Sequence, residues 1–278
     1  MSKMTDGVER RITVPAIKAR KGGEPVVCLT AYTAPMAELL APHCDLMLVG
    51  DSVGMVMHGL PDTVGVTLEM MIMHGRAVRR GAPNSLVVVD LPFGTYEESK
   101  ETAYRSAVRV LKETGAQAVK VEHCKGAGET IAYLVERGIP VMGHVGLKPQ
   151  AVHIEGGMRA KGRDMDERLR VLNEAREADE AGCFAIVVEG VTLELAREVT
   201  ASIAAPTIGI GASSACDGQI LVTDDMLGLF DWTPKFVRRY ADLRKVISEA
   251  AATYAADVRA RTFPSSAETY TLAPRKKA

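Results

Sequence analysis

Short apolar runs recur along the chain, separated by longer stretches in which apolar residues return every three or four positions. The runs are VVCLT (26–30), DLMLVG (45–50), LVVVD (86–90), AVKVE (118–122), PVMGH (140–144), FAIVVEG (184–190) and PTIGIG (206–211), with a weaker eighth around MLGLF (226–230). Near-continuous apolar character suits parallel strands covered on both faces. The stretches between them read as helices. Over 97–114, Tyr104, Ala107, Val108 and Leu111 fall at i, i+3, i+4 and i+7, which makes one apolar stripe. Thr95 and Glu98 have the spacing of a capping box at its start, and Gly115 is placed to end it. Residues 128–137 repeat the plan with Ile131, Leu134 and Val135 before Gly138. Further helices are predicted over 166–181, ending at Gly182, and over 193–203 behind a Thr192 cap. Alternating strands and helices imply βαβ units and a parallel sheet. Seven or eight units in about 230 residues fit a closed (β/α)8 TIM barrel better than an open sheet.

Three regions stand outside the alternation. Residues 1–24 form a leader with a short helix expected near Pro15–Lys21, and 263–278 form a polar tail. Between them, 145–165 (VGLKPQAVHIEGGMRAKGRDM) is a long connection rich in Gly, Lys and Arg. Connections of that length are usually functional lids or linkers. The chain reads as a single barrel domain, 1–278, with this leader and tail attached.

Composition narrows the class. Of 278 residues, 47% are hydrophobic and 25% charged, enough for a sizeable core and too apolar for disorder. The 34 Lys and Arg against 35 Asp and Glu leave a net charge of −1, which argues against a nucleic-acid binder. Cysteines 28, 44, 124, 183 and 216 are scattered and make no C-x-x-C pair, so neither a disulfide framework nor a zinc module is expected. The leader has no apolar signal region, and no run approaches the length of a membrane span. A cytoplasmic protein with small-molecule partners, no nucleic acid and no membrane is the expectation.

The chemistry lies in where the acids fall. Asp51 follows the second run, while Asp90, Glu122 and Glu189 end or nearly end the third, fourth and sixth. In a (β/α)8 barrel these positions share the C-terminal mouth, where such enzymes carry their active sites. Lys120 and Glu122 lie two residues apart and therefore on the same face of a strand. Singly, each residue has an ordinary explanation: an Asp caps a helix, a Glu sits at the surface or in an ion pair, and Lys120 neutralises Glu122. Four acids on one rim would repel one another without a cation or a catalytic task. Oxygen donors without a convergent His or Cys set favour a hard cation, and Mg²⁺ is the expectation. Three acids could serve it directly or through water, leaving one as a base for metal-assisted enolisation or aldol-type chemistry.

Other candidates are weaker. Gly209 and Gly211 could cradle a phosphate, though tight strand-turn geometry explains them as well. His58, His74, His123, His144 and His153 show no H-x-x-x-H spacing, and His144 is kept as a minor candidate for the mouth. Ser52 lacks a G-x-S-x-G setting. The Met-rich stretch from Met55 to Met73 reads as packing.

Several separated motifs resemble the ketopantoate hydroxymethyltransferase (3-methyl-2-oxobutanoate hydroxymethyltransferase) family. They are LTAYTAPMA (29–37), VGDSVGMVMHG (49–59), VTLEMMIMH (66–74), DLPFGTY (90–96), AVKVE (118–122), GHVGLKPQ (143–150), VVEG (187–190) and IGIGASSACDGQILV (208–222), spread from about Thr13 to Leu243. The resemblance implies a TIM barrel of the phosphoenolpyruvate/pyruvate type. It implies transfer of a hydroxymethyl group from 5,10-methylenetetrahydrofolate to 3-methyl-2-oxobutanoate through a Mg²⁺-stabilised enolate, giving 2-dehydropantoate for pantothenate and coenzyme A biosynthesis. Matched residue by residue, the family's metal-associated acids fall on Asp51, Asp90 and Glu122. Its ketoacid-holding groups fall on Asp51, Ser52, Asp90 and Lys120, and its proposed general base on Glu189. Members form large homo-oligomers, often decamers.

This chain departs from the pattern at His123-Cys124-Lys125 and at Ser213-Ser214, where members commonly carry glycine. Those departures bear on loop shape and folate contacts, for which the basic residues of 145–165 are the place to look. A same-fold alternative is a Mg²⁺-dependent C–C lyase acting on a 2-oxo acid. Such relatives often use a cysteine in a mid-chain loop, and 145–165 holds none. A non-catalytic barrel serving as a scaffold is the other alternative. It would lack at least one of the five charged residues at the mouth, all of which are present.

Overall fold

Eight parallel strands close on themselves in sequence order in a computed structural model that describes residues 11–270. They are β1 (Val26–Thr30), β2 (Leu46–Val49), β3 (Leu86–Asp90), β4 (Ala118–Glu122), β5 (Val141–Gly146), β6 (Ala185–Glu189), β7 (Thr207–Ile210) and β8 (Gly218–Leu221). Val26 of β1 pairs with Gly218 of β8 and completes the circle. The helices are α1 (Val14–Lys18), α2 (Ala34–Leu40), α3 (Val53–His58), α4 (Leu68–Gly81), α5 (Lys100–Thr114), α6 (Ala127–Glu136), α7 (Val152–Glu155), α8 (Met165–Glu180), α9 (Leu193–Ser202), α10 (Thr223–Met226) and α11 (Leu243–Ala260). The expected leader and tail reach into 1–10 and 271–278, which lie outside the described residues.

Most of the predicted elements form, and the differences have local causes. The eighth strand is Gly218–Leu221 and not MLGLF, because Met226 ends the turn α10. Only two apolar residues, Ile220 and Leu221, follow Gly218 and Gln219, so the true strand is too short and mixed to stand out as a run. Helix α5 starts later than its predicted capping box. Ser99 Oγ accepts from the Thr102 N–H at 3.1 Å, while Thr95 donates its hydroxyl to the Pro92 carbonyl at 2.6 Å. Thr192 precedes α9 but makes no capping bond there; its hydroxyl turns to Gly162 O at 3.4 Å. Of the Met-rich stretch, Met71 is fully buried, whereas Met55, Met57 and Met73 are exposed, so packing accounts for only part of it.

Strand alternation divides the core into two shells. Outward residues such as Met47, Val49, Val87, Val89, Val119 and Val121 pack beneath the helices. Inward residues, including Leu46, Leu48, Leu86, Val88, Ala118, Met142 and Ile208, fill the barrel itself. Ile17 of α1 joins this inner cluster with no exposed surface. The leader is tied to the N-terminal ends of the strands through Asp217, which accepts from the Gly22 N–H at 2.8 Å and from Lys21 Nζ at 3.1 Å. The apolar filling thus occupies the lower and middle barrel, and polar inward positions remain at the C-terminal end.

The chain divides into two compact units, up to Thr223 and from Asp224. Within the second, α11 has no buried residue, and Ile247, Tyr254 and Val258 lie exposed at i, i+7 and i+11 on one face.

Candidate active site

The same alternation that buries Leu86 and Val88 turns Asp90 inward, and on β4 it turns Lys120 and Glu122 inward above Ala118. His144 follows Met142 on β5, and Glu189 follows Val187 on β6. Sheet register sets these neighbours side by side: Asp90 pairs with Lys120, and Glu122 with His144. Asp51 and Ser52 enter from the turn after β2. Gly50 makes that turn possible, since a Cβ there would stand 2.8 Å from Ser52 Oγ. Gly146 does the same at the end of β5, where φ is +95° and a Cβ would lie 2.3 Å from the Glu189 carbonyl oxygen.

The side chains form one connected ring. Lys120 Nζ lies 3.1 Å from Asp90 Oδ1, and the Asp51 backbone N–H donates to Asp90 Oδ2 at 3.0 Å. His144 bridges two acids, with Nδ1 3.4 Å from Glu122 Oε1 and Nε2 3.2 Å from Glu189 Oε2. Gln150, just beyond β5, joins the other side. Its side-chain amide donates to Asp51 Oδ2 at 2.8 Å and to the Leu91 carbonyl at 3.1 Å, and its backbone N–H donates to Glu122 Oε2 at 3.1 Å. Tyr96 donates its hydroxyl to Gln150 Oε1 at 2.6 Å. Ser52 Oγ stands at the edge, 2.8 Å from the Tyr32 hydroxyl.

Asp51, Asp90, Lys120, Glu122 and His144 are each no more than 5% exposed, so their charges interact strongly. Burial pushes the Asp51 carboxyl up to about 8, and the neighbouring Asp90 and Glu122 push it the same way. Burial also raises Asp90, against the pull of Lys120. Burial opposes the charge on Glu122, but His144 and Lys120 outweigh it and hold that carboxyl below its usual range. Lys120 is likewise buried, yet the three acids hold its ammonium above the usual lysine range. His144 rises to about 9: burial and Lys120 oppose its charge, and the contacts with Glu122 and Glu189 prevail. An imidazolium donates from both nitrogens, so Nδ1 serves Glu122, and its 3.2 Å approach to Lys120 Nζ brings two cations together between acids.

All of the residues expected at the mouth are found there. Asp51, Asp90, Lys120, Glu122 and Glu189 belong to the ring, and Ser52 stands beside it. His144, a minor candidate by spacing, is central. Gln150 and Tyr96 fall within the motifs GHVGLKPQ and DLPFGTY but carry no charge or ligand spacing that would single them out. Gly209 lies beneath Gln219 and Cys216, whose side chains a Cβ would meet at 3.0 to 3.1 Å.

The donor set suits a hard cation. Asp90 Oδ1 and Glu122 Oε1 are buried and meet only the cations Lys120, at 3.1 Å, and His144, at 3.4 Å, while Asp51 faces two further acids. Among the described residues no group of three or more His, Cys, Asp or Glu side chains is arranged to hold a metal ion by itself. Magnesium needs no such group, because it commonly takes one or two carboxylates and fills the remaining positions with water and substrate. Asp51 and Asp90, with Glu122 behind them, fit that pattern.

Comparison with known proteins shows what the chain is similar to. The model of the family described as ketopantoate hydroxymethyltransferase matches residues 11–266. The 3-methyl-2-oxobutanoate hydroxymethyltransferase of Phenylobacterium zucineum (strain HLK1) is 67% identical over 270 residues, covering 97% of this chain and 98% of that one. Among solved structures, 2,3-dimethylmalate lyase, a PEP mutase/isocitrate lyase superfamily member, superposes with a TM-score of 0.60 at 15% identity, covering 88% of this chain and 86% of that one. A phosphonopyruvate hydrolase in complex with oxalate and Mg²⁺ gives 0.59 at 11% identity, with 93% and 92% covered. At such identities the structural likeness speaks for the barrel alone.

Proposed function

The chain belongs to the ketopantoate hydroxymethyltransferase family, and we propose that the ring of Asp51, Asp90, Lys120, Glu122, His144 and Glu189 performs that family's reaction. The enzyme transfers a hydroxymethyl group to 3-methyl-2-oxobutanoate, forming 2-dehydropantoate on the route to pantothenate. The observation that carries the assignment of roles is the continuity of the ring. A buried cation, Lys120, stands on one side and an acid at the rim, Glu189, on the other, joined through His144.

Lys120 and Ser52 hold the ketoacid's carboxylate end, Lys120 by charge and Ser52 by its hydroxyl. Glu189 takes the proton from C3, and His144 holds the Glu189 carboxylate in place. Asp51 and Asp90, with Glu122 behind them, would hold Mg²⁺, which would supply Lewis-acid polarisation of the keto carbonyl. The electron pair left at C3 forms the new bond to the methylene carbon of 5,10-methylenetetrahydrofolate. Both carbon–nitrogen bonds of that methylene group break. Water supplies the hydroxyl oxygen, and tetrahydrofolate leaves with a hydrogen on each nitrogen. One ketoacid, one donor and one water thus give one product and one tetrahydrofolate.

The test is exchange at C3. In D₂O with Mg²⁺ and 3-methyl-2-oxobutanoate but no folate, the protein is expected to exchange the C3 proton, and Glu189→Gln to bind ketoacid without exchanging it. Exchange by Glu189→Gln at the wild-type rate would assign the base elsewhere. We also read the chain as a cytoplasmic homo-oligomer. The exposed apolar face of α11 supports self-association, and no helix of the described residues is long and apolar enough to cross a membrane.

A further inference from the structure

A cavity of about 360 Å³ opens beside the ring. Four successive loops at the C-terminal mouth build it: Val64 comes from the β2–α4 connection, Phe93 from β3–α5, Cys124 from β4–α6, and Ala151 and Ile154 from the segment after β5. Its edge is formed by Glu122 and Gln150, so it shares residues with the carboxylate ring and is continuous with it. Phe93 is 47% exposed and Ile154 90% exposed. Large apolar side chains left open around a mouth, over a buried polar floor, form the surface that an apolar or aromatic ligand covers.

Two reactants must meet at one carbon in a hydroxymethyl transfer, and this mouth offers them different chemistry. The ring itself is small, buried and charged, which matches a ketoacid. The cavity is broad and mixed, with aromatic walls at Phe93 and Tyr96, apolar contacts at Val64 and Ile154 and polar groups at Glu97, Lys148 and His153, and its volume lies in the range of sites that take molecules of drug size. Of the basic residues of 145–165, Lys148 and His153 line the cavity, although Lys148 also pairs with Glu174 at 2.9 Å, and Lys161 pairs with Glu155.

Resting on the hydroxymethyltransferase reading, we propose that this cavity, bounded by Val64, Phe93, Ala151 and Ile154, seats the bicyclic ring end of the folate co-substrate. That places the donor's methylene carbon over Glu122 and Gln150, within the mouth that also presents Glu189. Ala151 and Ile154 of the 145–165 segment meet the ring faces, and Lys148 and His153 of the same segment supply the polar edge.

Cys124 supplies a reporter. It is the one cysteine of the five that is not buried, and it lines the cavity. Burial raises its thiol above the usual range, so alkylation by iodoacetamide is followed at alkaline pH. Tetrahydrofolate, kept reduced with ascorbate, is expected to slow alkylation of Cys124 in the wild-type protein at least fivefold, and 3-methyl-2-oxobutanoate with Mg²⁺ is expected to leave it unchanged. In parallel, Phe93→Ala and Ile154→Asp should each raise KM for methylenetetrahydrofolate about tenfold, with folate-independent C3 exchange within twofold of wild type. Protection of Cys124 by the ketoacid alone, protection by neither compound, or an unchanged folate KM in both variants with exchange intact would overturn the proposal. Absence of both exchange and product formation in the wild type would instead overturn the functional reading, and Cys124 protection would still report on what the cavity binds.

Discussion

Gln150→Ala is the most informative single change at this mouth. The wild-type side chain donates to Asp51 Oδ2 at 2.8 Å in a buried setting and thereby favours the charged form of a carboxyl that burial pushes up to about 8. A hydrogen bond to a charged group contributes roughly 1.5–3 kcal/mol, and about 1.4 kcal/mol corresponds to one pKa unit. Its removal should therefore raise Asp51 by roughly one to two units more. The sign is fixed: a weaker hold on the carboxylate means less ionised Asp51 at any given pH, so Mg²⁺-dependent function must begin at higher pH. C3 exchange by 3-methyl-2-oxobutanoate in buffered D₂O, measured across pH at a fixed Mg²⁺ concentration well below saturation, should show its rising limb moved alkaline by about that amount, and saturating Mg²⁺ should bring the two profiles together. Tyr96→Phe is the control. It removes the donor to Gln150 Oε1 at 2.6 Å but leaves the amide on Asp51, so its profile should move much less. A Gln150→Ala profile that, below Mg²⁺ saturation, superimposes on wild type or moves to acid would refute the reasoning, as would equal shifts in the two variants.

Other outcomes follow from the same geometry. Asp51 is held protonated at pH 7 by burial and its acidic neighbours, so Mg²⁺ binding should release up to about one proton; calorimetric heats that do not depend on the buffer's ionisation enthalpy would contradict this. Asp217→Asn leaves one acceptor oxygen for backbone N–H groups that now bond to both, Gly22 on Oδ1 and Thr207 on Oδ2, and it also loses the Lys21 ion pair. A loss of roughly 2–4 kcal/mol in urea unfolding at pH 7.5 is expected. Asp217 is held below its usual range, with its N–H partners and Lys21 outweighing burial, so its contribution is complete above the unfolded value near 4. It is lost as pH falls through the folded value, and the gap between variant and wild type should close in acid. Ile17→Ala, at a side chain with no exposed surface, should cost about 2–5 kcal/mol in the same assay, with C3 exchange retained in the folded fraction.

What could be read from residues alone follows a physical division. Seven strands are legible because each is a buried parallel strand and must be apolar on both faces. The eighth escapes because Gly218 and Gln219 occupy half of it, and Gln219 points out to solvent. The acids at the strand ends are legible because a carboxylate after an apolar run is conspicuous and the barrel gives all such positions one destination. Gln150 has no such signal. Its role depends on a loop returning across the mouth so that its side-chain amide reaches Asp51 after β2 while its backbone N–H reaches Glu122 of β4, and no periodicity encodes that return. His144 lies between these cases. Its inward direction follows from alternation with Met142, but its central place emerges only when Glu122 and Glu189 are seen on either side of it. Thr95 shows the limit for local motifs, because its hydroxyl completed a turn with Pro92 before it could cap a helix.

The barrel also explains why fold and reaction must be argued separately. Structures that superpose on this chain at 11–15% identity include a lyase and a hydrolase, so the lower barrel evidently tolerates wide substitution while holding eight strand ends in place. Reaction type then depends on the uppermost inward residue of each strand and on the loop above it. Here the acids among them are divided by environment. Burial keeps a proton on Asp51, whereas Lys120 and His144 keep Glu122 ionised, so chemically similar side chains a few ångströms apart are prepared for different tasks. A carbon–carbon lyase on this barrel would need a group to protonate its leaving carbon. Cys124, the one cysteine that is not buried, instead lines a broad cavity, to which the 145–165 segment contributes Lys148, Gln150, Ala151, His153 and Ile154 and no thiol. On the roles proposed above, a carboxylate at the rim beside open space for a second reactant is an arrangement suited to building a carbon–carbon bond.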